Sequence, residues 1–418
     1  MSSRSGIFPT FFLSGFECSS FDWKGRGRRD LSSELQHYQH ADEDYAMLPR
    51  LGIAVAREGI PWPLVDKGIG EYDFSLIGEF LAAQRRHNVL PIWDLCHYGF
   101  PDGLDPYSDA FVARFAAYAR AAARYVAERA HHGPLCFTPI NEPTFWGYMG
   151  GEWGWCGPFG KTAEDRRRFT LALARADIAA VRAIRVDFPD ARMIHIDPLI
   201  WVVPPRNRPD LADEANRESY EDAYIAWDVI SGLKYPELGG SLEIIDILGF
   251  NNYSFGQMEY QGGGHPNQPL KPGDNRIRPL CDLLEEAWVK YRRPCILAET
   301  SGLHGGRPDW LNDVVCEGLA AVKHGVDLHG ICLFPAVDMA DWHSGEWLHM
   351  GIADVQPLPS GALMRTPFLP YVQMLHRWQR RLNRVVHVDE DPYDKPVNLD
   401  DVVAAARELD LAPDNDWH

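Results

Sequence analysis

Short apolar runs recur along this chain at 9–15, 53–57, 89–95, 135–141, 193–197, 247–251, 295–299 and 330–334. Each is apolar nearly throughout, the pattern of strands buried on both faces of a parallel sheet rather than on one. Between them the spacing turns helical. Residues 109–130 place Phe111, Phe115, Tyr118 and Tyr125 on one face, and 166–186 repeats the pattern. Eight strand-like runs alternating with helices predict an α/β fold, a (β/α)8 TIM barrel, with its active site at the C-terminal ends of the strands.

Polar residues stand at those ends. Glu17 and Asp22 follow the first run, Arg57 closes the second, Asp94 and His97 the third, and Asn141 and Glu142 the fourth. Asp197 ends the fifth, Asn251 and Tyr253 the sixth, Glu299 the seventh, and Asp338 follows the eighth. One or two such residues are ordinary caps, but a polar group at every end describes a catalytic ring. Glu142 and Glu299 are the most informative pair, because closing the barrel would bring them across one pocket. Two facing carboxyls can divide acid and nucleophile roles, which is the chemistry of glycoside hydrolysis.

The barrel is expected over residues 1–386. The loops 203–210 and 261–274, rich in Pro, Arg and Gly, follow strand ends and are placed to wall the pocket. Beyond 386 the chain turns acidic and then reads as a short amphipathic helix, so 387–418 forms a C-terminal appendage. It is expected to pack on the barrel or on a neighbouring subunit, the second arrangement making a homo-oligomer.

Composition narrows the partners. Of 418 residues, 45% are hydrophobic, and 41 Lys+Arg against 59 Asp+Glu leave a net charge of −18. That charge repels phosphate backbones and anionic lipid, so neither nucleic acid nor a membrane is an expected partner. No apolar run reaches the ~20 residues that span a bilayer. The apolar N-terminus is broken by Pro9 and followed by Glu17, which suits a first strand better than a leader. Eight cysteines without a C-x-x-C pair read as reduced thiols of a cytoplasmic protein, and no Cys/His spacing suggests a metal or other cofactor.

Five segments carry a family resemblance. Thr138-Pro-Ile-Asn-Glu-Pro143 and Ala298-Glu-Thr-Ser-Gly302 resemble the acid/base and nucleophile motifs of family 1 glycoside hydrolases, the retaining β-glucosidases and β-galactosidases. Trp93-Asp-Leu-Cys-His-Tyr-Gly-Phe-Pro101 is similar to the segment holding their sugar-binding His, and Leu248-Gly-Phe-Asn-Asn-Tyr253 to the one holding the Tyr that bonds the nucleophile. The segment from Phe334 to Gly345 is similar to the one carrying their glycone-binding Glu-Trp pair. The motifs occur in family order from the first strand to Val355. Departures mark a divergent branch: Asp341 replaces a Glu, Tyr98 and Phe334 each replace a Trp, and Thr300-Ser301 replace Asn-Gly.

The resemblance implies a β-glycosidase acting on the terminal sugar of small glycosides or oligosaccharides. Glu299 is its nucleophile and Glu142 its acid/base; Arg57, Asn141 and Tyr253 support them, with Asn141 meeting the sugar 2-OH. His97, Asp341 and Trp342 hold the sugar, as does either Asp22 or Glu17. For Arg57 the alternative is a structural ion pair with Glu58 or a core carboxylate. Trp62, Trp146, Trp153, Trp155, Trp342 and Trp347 follow strands and are candidates for stacking on sugar faces. A transglycosylase, an inverting enzyme on the same barrel, or a non-catalytic carbohydrate-binding relict are the alternative readings.

Overall fold

The computed structural model describes residues 6–68, 70–129, 133–382 and 397–408. Eight strands, β1 (Phe12–Gly15), β2 (Val55–Gly59), β3 (Leu90–Asp94), β4 (Cys136–Thr138), β5 (Arg192–Pro198), β6 (Ile247–Asn251), β7 (Cys295–Thr300) and β8 (Leu328–Leu333), close into a barrel. Each is parallel to both neighbours, and β1 pairs with β2 and with β8. Helices lie between the strands, the (β/α)8 arrangement expected from the apolar runs.

Both strand faces are buried, for different reasons. Leu13, Val55, Ile92, Ile194, Ile296 and Cys332 point inward and fill the barrel as one cluster. Their neighbours Phe12, Ala56, Trp93, Phe137 and Leu297 point outward and join the larger core under the helices. Burying each large apolar side chain contributes about 1.5–3 kcal/mol, so a one-residue slip in any strand would exchange the two layers at high cost.

The helices start where side chains cap them. Ser108 accepts the Phe111 N–H at 3.2 Å at the start of Asp109–Ala127, and Thr162 accepts that of Asp165 at 3.0 Å at the start of Ala163–Asp187. The first helix ends three residues before its expected limit, and Thr162 starts the second three residues early. The expected loops after β5 and β6 are partly regular: Trp201–Val203, Gln257–Glu259 and Gln268–Pro269 form a three-stranded sheet at the barrel mouth.

Alternation also separates Arg57 from Glu58 on β2. Arg57 turns inward, whereas Glu58 turns outward to accept from the Tyr45 hydroxyl and to meet His37 Nε2, each at 2.9 Å. The alternative of an ion pair with Glu58 is not realised; Arg57 pairs with Asp94 and Glu299 instead. His37 Nδ1 meets Asp44 at 2.7 Å, and Arg365 donates to Asp44 at 2.7 Å, linking β2 to the Ala353–Pro357/Leu363–Pro367 hairpin.

The appendage is described over 397–408. Its helix Leu399–Glu408 lies against Arg307–Lys323 of the same chain, and Val397 N donates to Phe8 O at 3.2 Å. The remainder of 387–418 lies outside the described residues. No helix among the described residues is long and apolar enough to cross a membrane.

Candidate active site

β4 stops at Thr138, and the chain rejoins the sheet through a bridge between Asn141 and Ile196. Glu142 then adopts a left-handed backbone, φ +44°, anchored by its N–H on Ile196 O at 2.9 Å. That conformation is strained for a residue with a Cβ. It aims the carboxyl into a cavity of about 460 Å³ at the C-terminal face, where Glu299 also arrives from β7.

The two carboxyls have opposite surroundings. Glu299 accepts from Arg57 Nη1 at 2.6 Å and from the Tyr253 hydroxyl at 3.0 Å, one donor on each oxygen. Among the described residues Glu142 hydrogen-bonds to neutral groups, accepting from the Tyr98 hydroxyl on Oε2 and from Asn251 Nδ2 on Oε1 at 2.7 Å. Burial and the charge of Glu299 push Glu142 up to about 7, against the downward pull of those two donors. Burial and the neighbouring carboxylates also hold both phenols well above their usual range, so Tyr98 and Tyr253 remain donors.

Arg57 is the hub beneath this pair. Fully buried, it donates to Glu299, to Ala298 O at 3.0 Å, to Asp94 at 2.6 Å and to Asn141 Oδ1 at 2.8 Å, with the Phe334 ring 5.1 Å from its guanidinium carbon. Burial would raise the Asp94 carboxyl, but Arg57 and His97 outweigh it and hold it below its usual range. Because Asn141 must offer its oxygen to Arg57, its amide nitrogen faces His97 Nε2 at 3.2 Å and the Tyr98 hydroxyl at 3.3 Å. His97 Nε2 therefore accepts, and its proton sits on Nδ1, toward Asp94 at 3.1 Å.

The sugar-site candidates divide. Glu17, His97, Asp341 and Trp342 line the cavity. Asp22 does not: it sits in a ribbon with Arg28, and both line a separate hollow of about 250 Å³ with Asp102. Of the rivals Asp22 and Glu17, the cavity contains Glu17, which accepts the Ser19 N–H at 2.9 Å. Asn141 is fully buried beside the cavity, its amide nitrogen facing His97 and Tyr98. Asp341 Oδ1 caps its own turn, accepting from Ser344 N at 2.6 Å and His343 N at 3.0 Å.

Among the tryptophans, Trp153, Trp155 and Trp342 line the cavity, whereas Trp62 and Trp146 are core residues only 1% exposed and Trp347 packs beside Met339 and Met350. The Trp342 indole N–H has no hydrogen-bond partner among the described residues. Cys18, Asp94 and His97 gather possible ligand atoms within 4.8 Å, a group their sequence spacing does not reveal. Arg57 fixes a positive charge against Asp94, and a cation there would be repelled by it. All eight cysteines are free thiols.

No protein-family model matches the chain. Solved structures do. A family 1 β-glucosidase from Thermotoga maritima has a TM-score of 0.69 at 17% identity, covering 91% of this chain and 99% of that one. The β-glucosidase of the same organism in complex with glucoimidazole has a TM-score of 0.73 at 17% identity, with the same coverage. A hyperthermophilic β-glucosidase mutant has a TM-score of 0.66 at 16% identity, covering 88% and 99%. At such identities the likeness speaks for the backbone alone, and this chain shares the barrel fold of the family 1 β-glucosidases along most of its length.

Proposed function

We propose that the chain is a retaining β-glycosidase removing one terminal sugar, with Glu299 as nucleophile and Glu142 as acid/base. The reading rests on the asymmetry of the two carboxyls: one clamped by a guanidinium and a phenol, the other hydrogen-bonded to a phenol and an amide and raised to about 7. A carboxylate held on one oxygen by a guanidinium and on the other by a phenol is oriented to attack. A carboxyl raised toward neutrality retains a proton to give. The fold shared with β-glucosidases supports the same reading.

In the first step a Glu299 oxygen bonds to the anomeric carbon while the bond from that carbon to the leaving oxygen breaks, and that oxygen takes the Glu142 proton. In the second, water attacks the same carbon, loses a proton to Glu142, and frees Glu299. Tyr98 and Asn251 orient Glu142 through both steps. Asn141 acts indirectly, fixing His97 and Tyr98, while Glu17, Asp341 and the free Trp342 indole N–H are the groups offered to sugar hydroxyls.

Proton NMR during hydrolysis of nitrophenyl β-glycosides tests the reading. The β anomer of the free sugar is expected first. Prompt α anomer would mean inversion, and no hydrolysis across gluco, galacto, fuco and xylo substrates would remove the catalytic reading.

A further inference from the structure

The order of strands divides the cavity mouth. β8, β1, β2 and β3 are consecutive and bring Glu17, His97 and Asp341 to one side; β5 and β6 bring the opposite wall, and Glu142, just after β4, and Glu299, on β7, stand where the two sides meet. The opposite wall is apolar. It presents Trp153 from the segment after β4, Ile200 after β5, and Phe255, Met258, Pro266 and Pro269 after β6.

This wall is held in place before anything binds. Ile200 and Met258 pack on a cluster of Val202, Ala215 and Tyr260 beneath the three-stranded sheet. Gly264 N donates to Glu152 Oε1 at 2.7 Å, and the other oxygen of Glu152 lies 2.9 Å from Arg166 Nε. Asn267 donates to Glu218 at 2.6 Å, so two polar groups in the wall satisfy one another. Burial pushes the Glu218 carboxyl above its usual range. At the rim Phe255 is 49% exposed and Leu303 38% exposed, apolar area left in water at the entrance of a polar site.

Resting on the glycosidase reading above, we infer that this wall receives an apolar leaving group, alkyl or aryl, in preference to a second sugar. A sugar ring could stack one face on Trp153, but its rim hydroxyls would leave water for Ile200, Phe255, Met258, Pro266 and Pro269, whose side chains offer them no partner. An alkyl or aryl body needs none, and it covers Phe255 and Leu303 as it binds. The chemistry runs the other way: a sugar hydroxyl is a better leaving group than an alkanol, so a preference for alkyl glycosides reports the wall and not bond strength.

The test compares methyl, n-hexyl and n-octyl β-glucosides with cellobiose, and the β-galactosides with lactose as a second set. From methyl to octyl, kcat/KM is expected to rise at least tenfold, each methylene that is fully covered being worth up to roughly fourfold, and the octyl glycoside is expected to exceed the disaccharide. Phe255→Ala and Leu303→Ala should each shrink the octyl-to-methyl ratio. Calorimetric titration of octyl glucoside and cellobiose into Glu142→Gln reads the wall without turnover, so it separates this inference from the catalytic reading. Octyl binding at least tenfold tighter supports the apolar wall, whatever the turnover. Octyl glucoside binding no tighter than cellobiose overturns it while leaving the glycosidase reading intact.

Discussion

The Tyr98 hydroxyl donates to Glu142 Oε2, while Asn251 donates to the other oxygen at 2.7 Å. Two donors on one buried carboxyl favour its charged form and so oppose the burial and the Glu299 charge that raise it. A Trp, which the resembled family carries here, has no hydroxyl to give.

Tyr98→Phe removes one of those donors. The Glu142 pKa should then rise from about 7, because a bond to its ionised form is lost. The basic limb of the kcat/KM profile, which reports the acid that must be protonated, should move to higher pH by about one unit, the scale of a hydrogen bond to a charged group. An unmoved limb, or one moved to lower pH, would mean that Tyr98 does not tune the acid.

Arg57→Met should strike stability and activity together. It leaves Asp94 and Glu299 as buried carboxylates without their guanidinium, and breaking such a pair by removing one partner costs about 3–5 kcal/mol. Urea unfolding at pH 7 checks the first effect and turnover the second. A loss below about 1 kcal/mol would show that the carboxylates find other partners.

His37 makes stability depend on pH in a definite direction. Burial alone would lower its pKa, but Glu58 and Asp44 outweigh burial and raise it from 6.5 to about 9. A raised folded-state pKa means that the charged imidazole stabilises the fold fully below pH 6.5. The contribution declines as pH rises and is gone above about 9. The stability gap between the native chain and His37→Gln should therefore be largest near pH 6 and narrow by a few kcal/mol at pH 9.5. A constant gap across that range would show that His37 does not change charge there.

Asp341 serves its own turn as well as the cavity wall. Asp341→Asn keeps an oxygen for the Ser344 and His343 N–H groups, so the turn should survive while the ranking of gluco, galacto, fuco and xylo substrates changes. Identical rankings in Asp341→Asn and Asp341→Ala would remove residue 341 from the sugar site.

The barrel was legible because a doubly buried strand leaves an unbroken apolar run ending in a polar residue, as at Ala298-Glu299. Arg57, Glu142, Tyr253 and Glu299 were legible for the same reason, each ending or just following such a run. Loop residues were not. Asp22 and Glu17 both follow β1, and only the reversal at the Asp22–Arg28 ribbon turns one away from the cavity. Trp62 and Trp146 follow strands as Trp153 does, yet they fold back into the core. Glu218, His37 and the Glu152–Arg166 pair meet their partners through contacts far apart in sequence that no local pattern encodes.

The division of labour between the two glutamates is tested most directly by azide rescue of their alanine variants on a dinitrophenyl β-glycoside. In Glu299→Ala, azide should occupy the space of the missing carboxylate and attack from the face opposite the leaving group, giving the α-glycosyl azide. In Glu142→Ala the intermediate on Glu299 still forms with this activated leaving group, and azide should then displace it to give the β-glycosyl azide. Opposite azide anomers from the two variants are the predicted result; the same anomer from both, or undiminished hydrolysis in Glu299→Ala, would contradict it.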